Sequence, residues 1–163
     1  IGPCQLRPLS RGSVHIRSSI YRDTPAIQPN YLAEKQDCHV HVAGIKIARK
    51  IMQSPLLSHF VDHETTPGSD YTSDEEILAY ARDSGVTLYH PVSTCRMGPS
   101  AAAYDVVDER LKVYGLSGVR VVDASIMPTM LSANLNAGAM MIGEKGADMI
   151  LDKPALEPII ISD

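Results

Sequence analysis

The chain has 163 residues, 44% hydrophobic and 21% charged, so it can bury a core of its own and is unlike a disordered segment or a coiled coil. Fifteen lysines and arginines stand against nineteen aspartates and glutamates, and the scattered basic residues exclude the positive surface of a nucleic-acid-binding protein. No apolar stretch reaches the ~20 residues of a membrane span, and three cysteines without a Cys-x-x-Cys pair fit free thiols. We therefore expect a soluble, cytoplasmic protein.

The N-terminal half predicts a strand followed by a long helix. Residues 13–17 alternate polar and apolar side chains, which indicates a half-buried β-strand. Two prolines keep residues 23–30 extended. From about Leu32 to Met52, apolar or small residues recur at helical spacing until Pro55 stops the pattern, which predicts a helix.

Residues 73–151 predict two helices and a strand. Ser73 and Glu76 have the spacing of a capping box and predict a short helix that ends near Gly85. The β-branched run at 119–122 indicates a buried strand, and residues 137–151, apolar almost all round, predict an interior helix. The pattern as a whole indicates an α+β fold with antiparallel strands near the N-terminus.

Three segments carry residues suited to chemistry. Residues 90–98 read His-Pro-Val-Ser-Thr-Cys-Arg-Met-Gly, which places a histidine in a short loop where it can act as a base. Residues 121–128 include the sequence Asp-Ala-Ser, and residues 132–138 place two asparagines at the start of the last helix. Taken singly, the histidine also fits a structural role and the asparagines fit helix caps, although a helix N-terminus also suits an anionic ligand.

Together and in this order, the segments resemble the C-terminal part of the glucose-methanol-choline (GMC) family of flavin-dependent alcohol oxidoreductases. The corresponding segments of this chain are 90–98, 106–108, 111–115, 119–128, 134–137 and 141–148. Residues 6–14 and 29–32 are also similar to strands of the family's substrate domain, so the resemblance covers nearly the whole chain.

The chain departs from the family pattern in two ways. Ser93 stands where the family usually has glycine, so the loop backbone or the room beside the flavin is expected to differ. No Gly-x-Gly-x-x-Gly motif follows a predicted strand. We therefore expect the family's dinucleotide-binding unit to lie on sequence upstream of Ile1, as the N-terminal FAD-binding part of the same polypeptide.

The resemblance implies the organisation of the chain. Residues 1–85 would belong to a substrate-binding domain, an antiparallel sheet with covering helices. Residues 86–153 would supply strand and helix pieces of the FAD-binding domain together with the catalytic loop, and residues 154–163 would form a tail. The implied activity is hydride transfer from the CH–OH group of an alcohol, such as choline or another primary alcohol, to FAD.

The resemblance also implies roles for single residues. His90 corresponds to the base that takes the hydroxyl proton, and imidazole suits this role because it titrates near neutrality. Asn134 corresponds to the second active-site position, where an amide can donate to the substrate oxygen. The implied cofactor contacts are Asp123, Ala124, Asn136 and Ala137, and no residue is expected to hold a metal.

Two other classes of protein stay open. In a metal-binding module, Cys38 with His41 and His59 with His63 would have ligand spacing on helices. In a noncatalytic interaction module, substitution of the catalytic residues would leave turnover intact. Without the dinucleotide-binding unit, we expect the isolated chain to be colourless and inactive, and to self-associate through its apolar C-terminal helix.

Overall fold

The structure is a computed structural model that describes residues 1–157 and 159, so the predicted tail at 154–163 lies partly outside the described residues. The chain divides into two compact units, Ile1–Tyr89 and His90–Asp163. Helices combine with a small antiparallel sheet, which confirms the mixed fold. The elements are β1 (Ser13–His15), β2 (Ala26–Gln28), α1 (Lys35–Met52), α2 (Asp74–Ser84) and α3 (Asn136–Ile150), with 3₁₀ turns at Ser58–Phe60, Ala101–Ala103 and Ala124–Ile126.

The sheet of the first unit is smaller and more exposed than predicted. β1 and β2 pair in antiparallel register with Val14 opposite Ile27. All three residues of β1 are exposed, and the strand ends at His15, so the prediction of a half-buried strand over 13–17 is wrong. Alternation shows which side chains share a face, but burial also needs a second layer. No helix covers this sheet in the part of the chain that the structure describes.

Helices α1 and α2 form the core of the first unit. The predicted long helix is confirmed, although it begins at Lys35 rather than Leu32. Its buried side chains Val42 and Ile45 pack against Ile77 of α2. Their apolar spacing provides the hydrophobic stripe that holds two amphipathic helices together.

The start of α2 has the predicted capping box. The Ser73 hydroxyl accepts a hydrogen bond from the Glu76 N–H at 3.2 Å, and the Glu76 carboxylate accepts one from the Ser73 N–H at 2.9 Å. The helix ends at Ser84 and Gly85 is its C-cap, as predicted. This local exchange of bonds satisfies backbone donors that would otherwise have no partner within the helix.

Asp37 ties the N-terminal segment to the first turn of α1. Its side chain is buried and accepts hydrogen bonds from the N–H groups of Leu9 at 2.9 Å and Ser10 at 2.7 Å, and from the Gln5 amide at 2.8 Å. Burial raises the pKa of the Asp37 carboxyl, but the hydrogen bonds from Leu9, Ser10 and Gln5 outweigh it and lower the pKa from 3.8 to about 2.

The lowered pKa predicts a pH-dependent contribution to stability. Because the pKa is 3.8 for an ordinary aspartate and about 2 in the fold, ionised Asp37 stabilises the native state above pH 4, and this contribution is lost as the pH falls towards 2. We expect Asp37→Asn to lower the free energy of unfolding by about 2 kcal/mol near pH 6. Urea unfolding at pH 6 and pH 3 measures the difference, with Asp83→Asn on the exposed side of α2 as control. A difference between parent and Asp37→Asn that is equal at both pH values would contradict this account.

The second unit is held by a core of irregular segments and one helix. Its buried side chains are Val107, Leu111, Ile126, Met127, Leu135 and Ile142. The predicted buried strand at 119–122 is wrong, because among the described residues the segment forms a single bridge, between Lys112 and Arg120, and Val119 is exposed. Two backbone hydrogen bonds flank this bridge, from the Val113 N–H to the Val119 carbonyl at 3.1 Å and from the Val121 N–H to the Leu111 carbonyl at 3.1 Å.

Helix α3 confirms the predicted C-terminal helix but not its burial. Only Ile142 and Gly146 are buried, whereas Met140 and Met141 are 59% and 62% exposed. The apolar pattern indicates a helix that could be packed on all sides. The described residues, however, cover only one side of α3. The buried side of α3 packs closely on Val122, since a Cβ on Gly146 would lie 2.2 Å from Cγ1 of that residue. No helix among the described residues has the length and apolarity to span a membrane.

Candidate active site

His90 and Asn134 come together in the second unit. The Nε2 atom of His90 lies 3.3 Å from the Oδ1 atom of Asn134, although 44 residues separate them in sequence. His90 is half-buried and Asn134 is exposed. The pair therefore presents a ring nitrogen and an amide at one point that a small molecule can reach.

The loop that carries His90 lies along the segment that precedes Asn134. The Cys95 N–H donates to the Ser125 carbonyl at 3.1 Å and the Met97 N–H donates to the Ile126 carbonyl at 2.8 Å. These backbone bonds hold the loop to a segment whose side chains Ile126 and Met127 are buried in the core. The core of the unit thus fixes the backbone on which His90 stands.

The backbone at Ser93 explains why glycine is usual at this position of the motif. Its φ angle is 71°, in the left-handed region that disfavours residues with a side chain. The Ser93 hydroxyl donates to the carbonyl of Met127 at 2.7 Å and to that of Pro128 at 3.2 Å. The serine keeps the backbone conformation of a glycine and adds a side-chain bond.

A buried carboxylate holds the other end of the loop. Asp105 accepts hydrogen bonds from Nε of Arg96 at 2.7 Å and from the Ser100 N–H at 3.3 Å. A Cβ on Gly98 would lie 2.1 Å from Oδ2 of this carboxylate, so the motif glycine is required for close approach. The Tyr114 hydroxyl donates to the Gly98 carbonyl at 2.8 Å. Sequence reasoning missed Asp105, because a bond to a residue nine positions away has no periodic signal.

The four predicted cofactor contacts lie at two places in this unit. The Asp123 carboxylate accepts from the Ser125 N–H at 2.7 Å and caps the 3₁₀ turn in which Ala124 is the first residue. Asn136 and Ala137 are exposed and form the start of α3. The N-cap residue is Leu135, whose side chain makes no cap bond, so neither asparagine is the N-cap residue. The first-turn N–H groups and the helix dipole make this helix end suited to a negatively charged group.

The Cys38–His41 and His59–His63 pairs were the candidates for metal ligands. Among the residues that the structure describes, no group of three or more His, Cys, Asp or Glu side chains could hold a metal ion. The buried Cys38 thiol lies 3.2 Å from the Leu32 carbonyl oxygen, and the exposed His63 pairs with Asp62 at 2.9 Å. The Cys38 thiol and the His63 ring therefore each have a hydrogen-bond partner among the described residues.

Comparisons with known proteins match nearly the whole chain. A family model described as GMC oxidoreductase matches residues 8–143. The chain is 46% identical over 150 residues to an alcohol dehydrogenase (acceptor) of Pseudomonas putida, covering 92% of this chain and 27% of that protein. It is 44% identical over 156 residues to the mitochondrial choline dehydrogenase of Homo sapiens, covering 96% of this chain and 26% of that protein.

A solved structure supports the same likeness. An FAD-dependent oxidoreductase from Chaetomium thermophilum superposes with a TM-score of 0.83 at 35% identity, over 90% of this chain and 25% of the other. The chain therefore spans about a quarter of the length of the relatives it matches.

Proposed function

Because this chain belongs to the GMC oxidoreductase family, we propose that it supplies the catalytic pair of an FAD-dependent alcohol oxidoreductase. The observation that carries the proposal is the 3.3 Å approach of His90 Nε2 to Asn134 Oδ1 at an accessible point of the second unit. A base and an amide at this separation can both reach one alcohol oxygen.

The proposed reaction divides the two hydrogens of the alcohol between two acceptors. When bound, FAD accepts the hydride that leaves the carbinol carbon. His90 takes the hydroxyl proton at Nε2, and the C–O bond becomes the carbonyl of an aldehyde or ketone. Asn134 donates from its amide nitrogen to the oxygen as negative charge develops there. Because an unprotonated Nε2 and an amide oxygen are both acceptors, His90 can act as the base only with the Asn134 amide nitrogen turned towards it.

The exposure and the cap of the first turn of α3 support a flavin-binding role for this end of the helix. Asn136 and Ala137 are exposed, and the N-cap residue Leu135 makes no side-chain cap bond. This helix end would lie near the flavin edge that becomes negative on reduction, and the helix dipole would stabilise that charge by about 1–2 kcal/mol. The exposed Asp123 and the adjacent Ala124 complete the proposed cofactor contacts, next to the turn that the Asp123 carboxylate caps.

The proposed organisation follows the same family assignment. Residues 1–85 would be part of a substrate-binding domain and residues 86–153 part of the FAD-binding domain, with a tail at 154–163. The division of the chain between Tyr89 and His90 supports a boundary close to this position. We propose choline or another primary alcohol as substrate, since two relatives are named as choline and alcohol dehydrogenases.

A comparison of the full-length protein with the isolated chain tests the proposal. We expect the FAD-loaded full-length protein to bleach its flavin absorption under anaerobic conditions with at least one alcohol of a panel that includes choline and other primary alcohols. We expect the isolated chain to carry no flavin band, because its contacts alone do not offset the entropy of holding the cofactor. Light scattering should show self-association of the isolated chain through the exposed side of α3.

Two results would contradict these expectations. A full-length protein whose flavin stays oxidised with every alcohol would refute the proposed activity. A monomeric isolated chain, or one with stoichiometric flavin, would refute the expectations for the isolated chain alone.

A further inference from the structure

Ser93 combines an unfavourable backbone conformation with a side-chain hydrogen bond that two carbonyl oxygens share. Its φ of 71° lies where glycine is the ordinary residue. Its hydroxyl donates to the carbonyl oxygens of Met127 and Pro128 at 2.7 and 3.2 Å. A non-glycine residue in such a conformation persists when its surroundings hold it there, and such residues cluster at functional sites.

The two carbonyls belong to the segment that leads to Asn134. Ser93 stands three residues after His90, and Met127 stands seven residues before Asn134. The hydroxyl therefore links the histidine-bearing loop to the asparagine-bearing segment. The backbone bonds of Cys95 and Met97 link the same two segments at positions farther along the chain from His90. Ser93 therefore stands nearer to His90 along the chain than Cys95 and Met97 do.

We infer that Ser93 is a positioning residue, whose hydroxyl sets the separation between His90 Nε2 and Asn134. The inference rests on the proposed function, because this separation matters only if both side chains act on one alcohol oxygen. Proton transfer depends steeply on geometry, and a misplacement of about 1 Å can lower a rate ~10²-fold. Loss of the hydroxyl therefore lowers the rate of flavin reduction at saturating alcohol more than it changes KM.

Two substitutions separate this role from a structural one. Ser93→Ala removes the hydroxyl and keeps the unfavourable φ, whereas Ser93→Gly removes the hydroxyl and relieves the backbone. In the FAD-loaded full-length protein we expect both variants to reduce flavin ~10- to 100-fold more slowly than the parent. We expect Ser93→Gly to unfold at a Tm at or above that of Ser93→Ala. Ser117→Gly, at an exposed turn, is the matched control and should keep the parental rate.

The His90→Ala background shows whether Ser93 acts through His90. We expect Ser93→Gly to cause no further loss of rate in the His90→Ala protein, because a positioning residue has nothing left to position. A parental rate in Ser93→Gly would overturn the inference, since removal of the hydroxyl would then have no effect on the rate. The same loss of rate in both backgrounds would also overturn it. A parental rate in His90→Ala would instead refute the proposed function, so the two failures are distinguishable.

Discussion

Replacement of His90 with alanine is expected to slow flavin reduction ~10²- to 10⁴-fold, the usual effect of removing a positioned acid–base group. The reason is the place of Nε2, 3.3 Å from the Asn134 amide and accessible to an alcohol. Stopped-flow absorbance of the full-length protein, mixed anaerobically with alcohol, measures the rate. His39→Ala, an exposed histidine on α1, is the control and should keep the parental rate.

Chemical rescue of this variant is equally informative. A variant that reduces its flavin at the parental rate would show that another group takes the hydroxyl proton. Addition of imidazole to the variant should restore part of the rate if only the base is missing.

Replacement of Asn134 with alanine is expected to slow flavin reduction ~10²- to 10³-fold, as removal of one donor to a developing oxyanion does in other enzymes. The amide cannot act as the base, so added imidazole should not restore the rate of Asn134→Ala. The contrast with His90→Ala therefore separates the two roles in one set of stopped-flow measurements. An Asn134→Ala protein that keeps the parental rate, or regains it with added imidazole, would contradict these separate roles.

The helices were predictable because their signals are local. The capping box of Ser73 and Glu76 and the stop before Pro55 depend on residues within one or two turns, and the structure has both features. Burial was predicted less well. Three predictions depended on which surfaces other parts of the protein cover: the strand at 13–17, the strand at 119–122 and the interior placement of α3. No local pattern contains that information.

The candidate site was predictable as a set of residues but not as an arrangement. Chain order and motif spacing identified His90 and Asn134, and the structure supplies the contact between them. Sequence reasoning treated Ser93 only as a departure from glycine, and it did not find Asp105. Both make bonds to atoms that lie apart in sequence, so their partners become visible only when the loop is folded.

The contact between Gly146 and Val122 gives a distant position influence over the site. Gly146 lies ten residues into α3 from Asn136, about 15 Å along the helix axis at 1.5 Å per residue. A methyl group there would lie 2.2 Å from Val122 Cγ1, so the helix or its neighbour would have to shift. Because α3 is one continuous helix from Asn136 to Ile150, a shift of the helix would reach the end that adjoins Asn134. A map of tolerated amino acids should therefore show position 146 to be as restricted as positions that contact the alcohol itself.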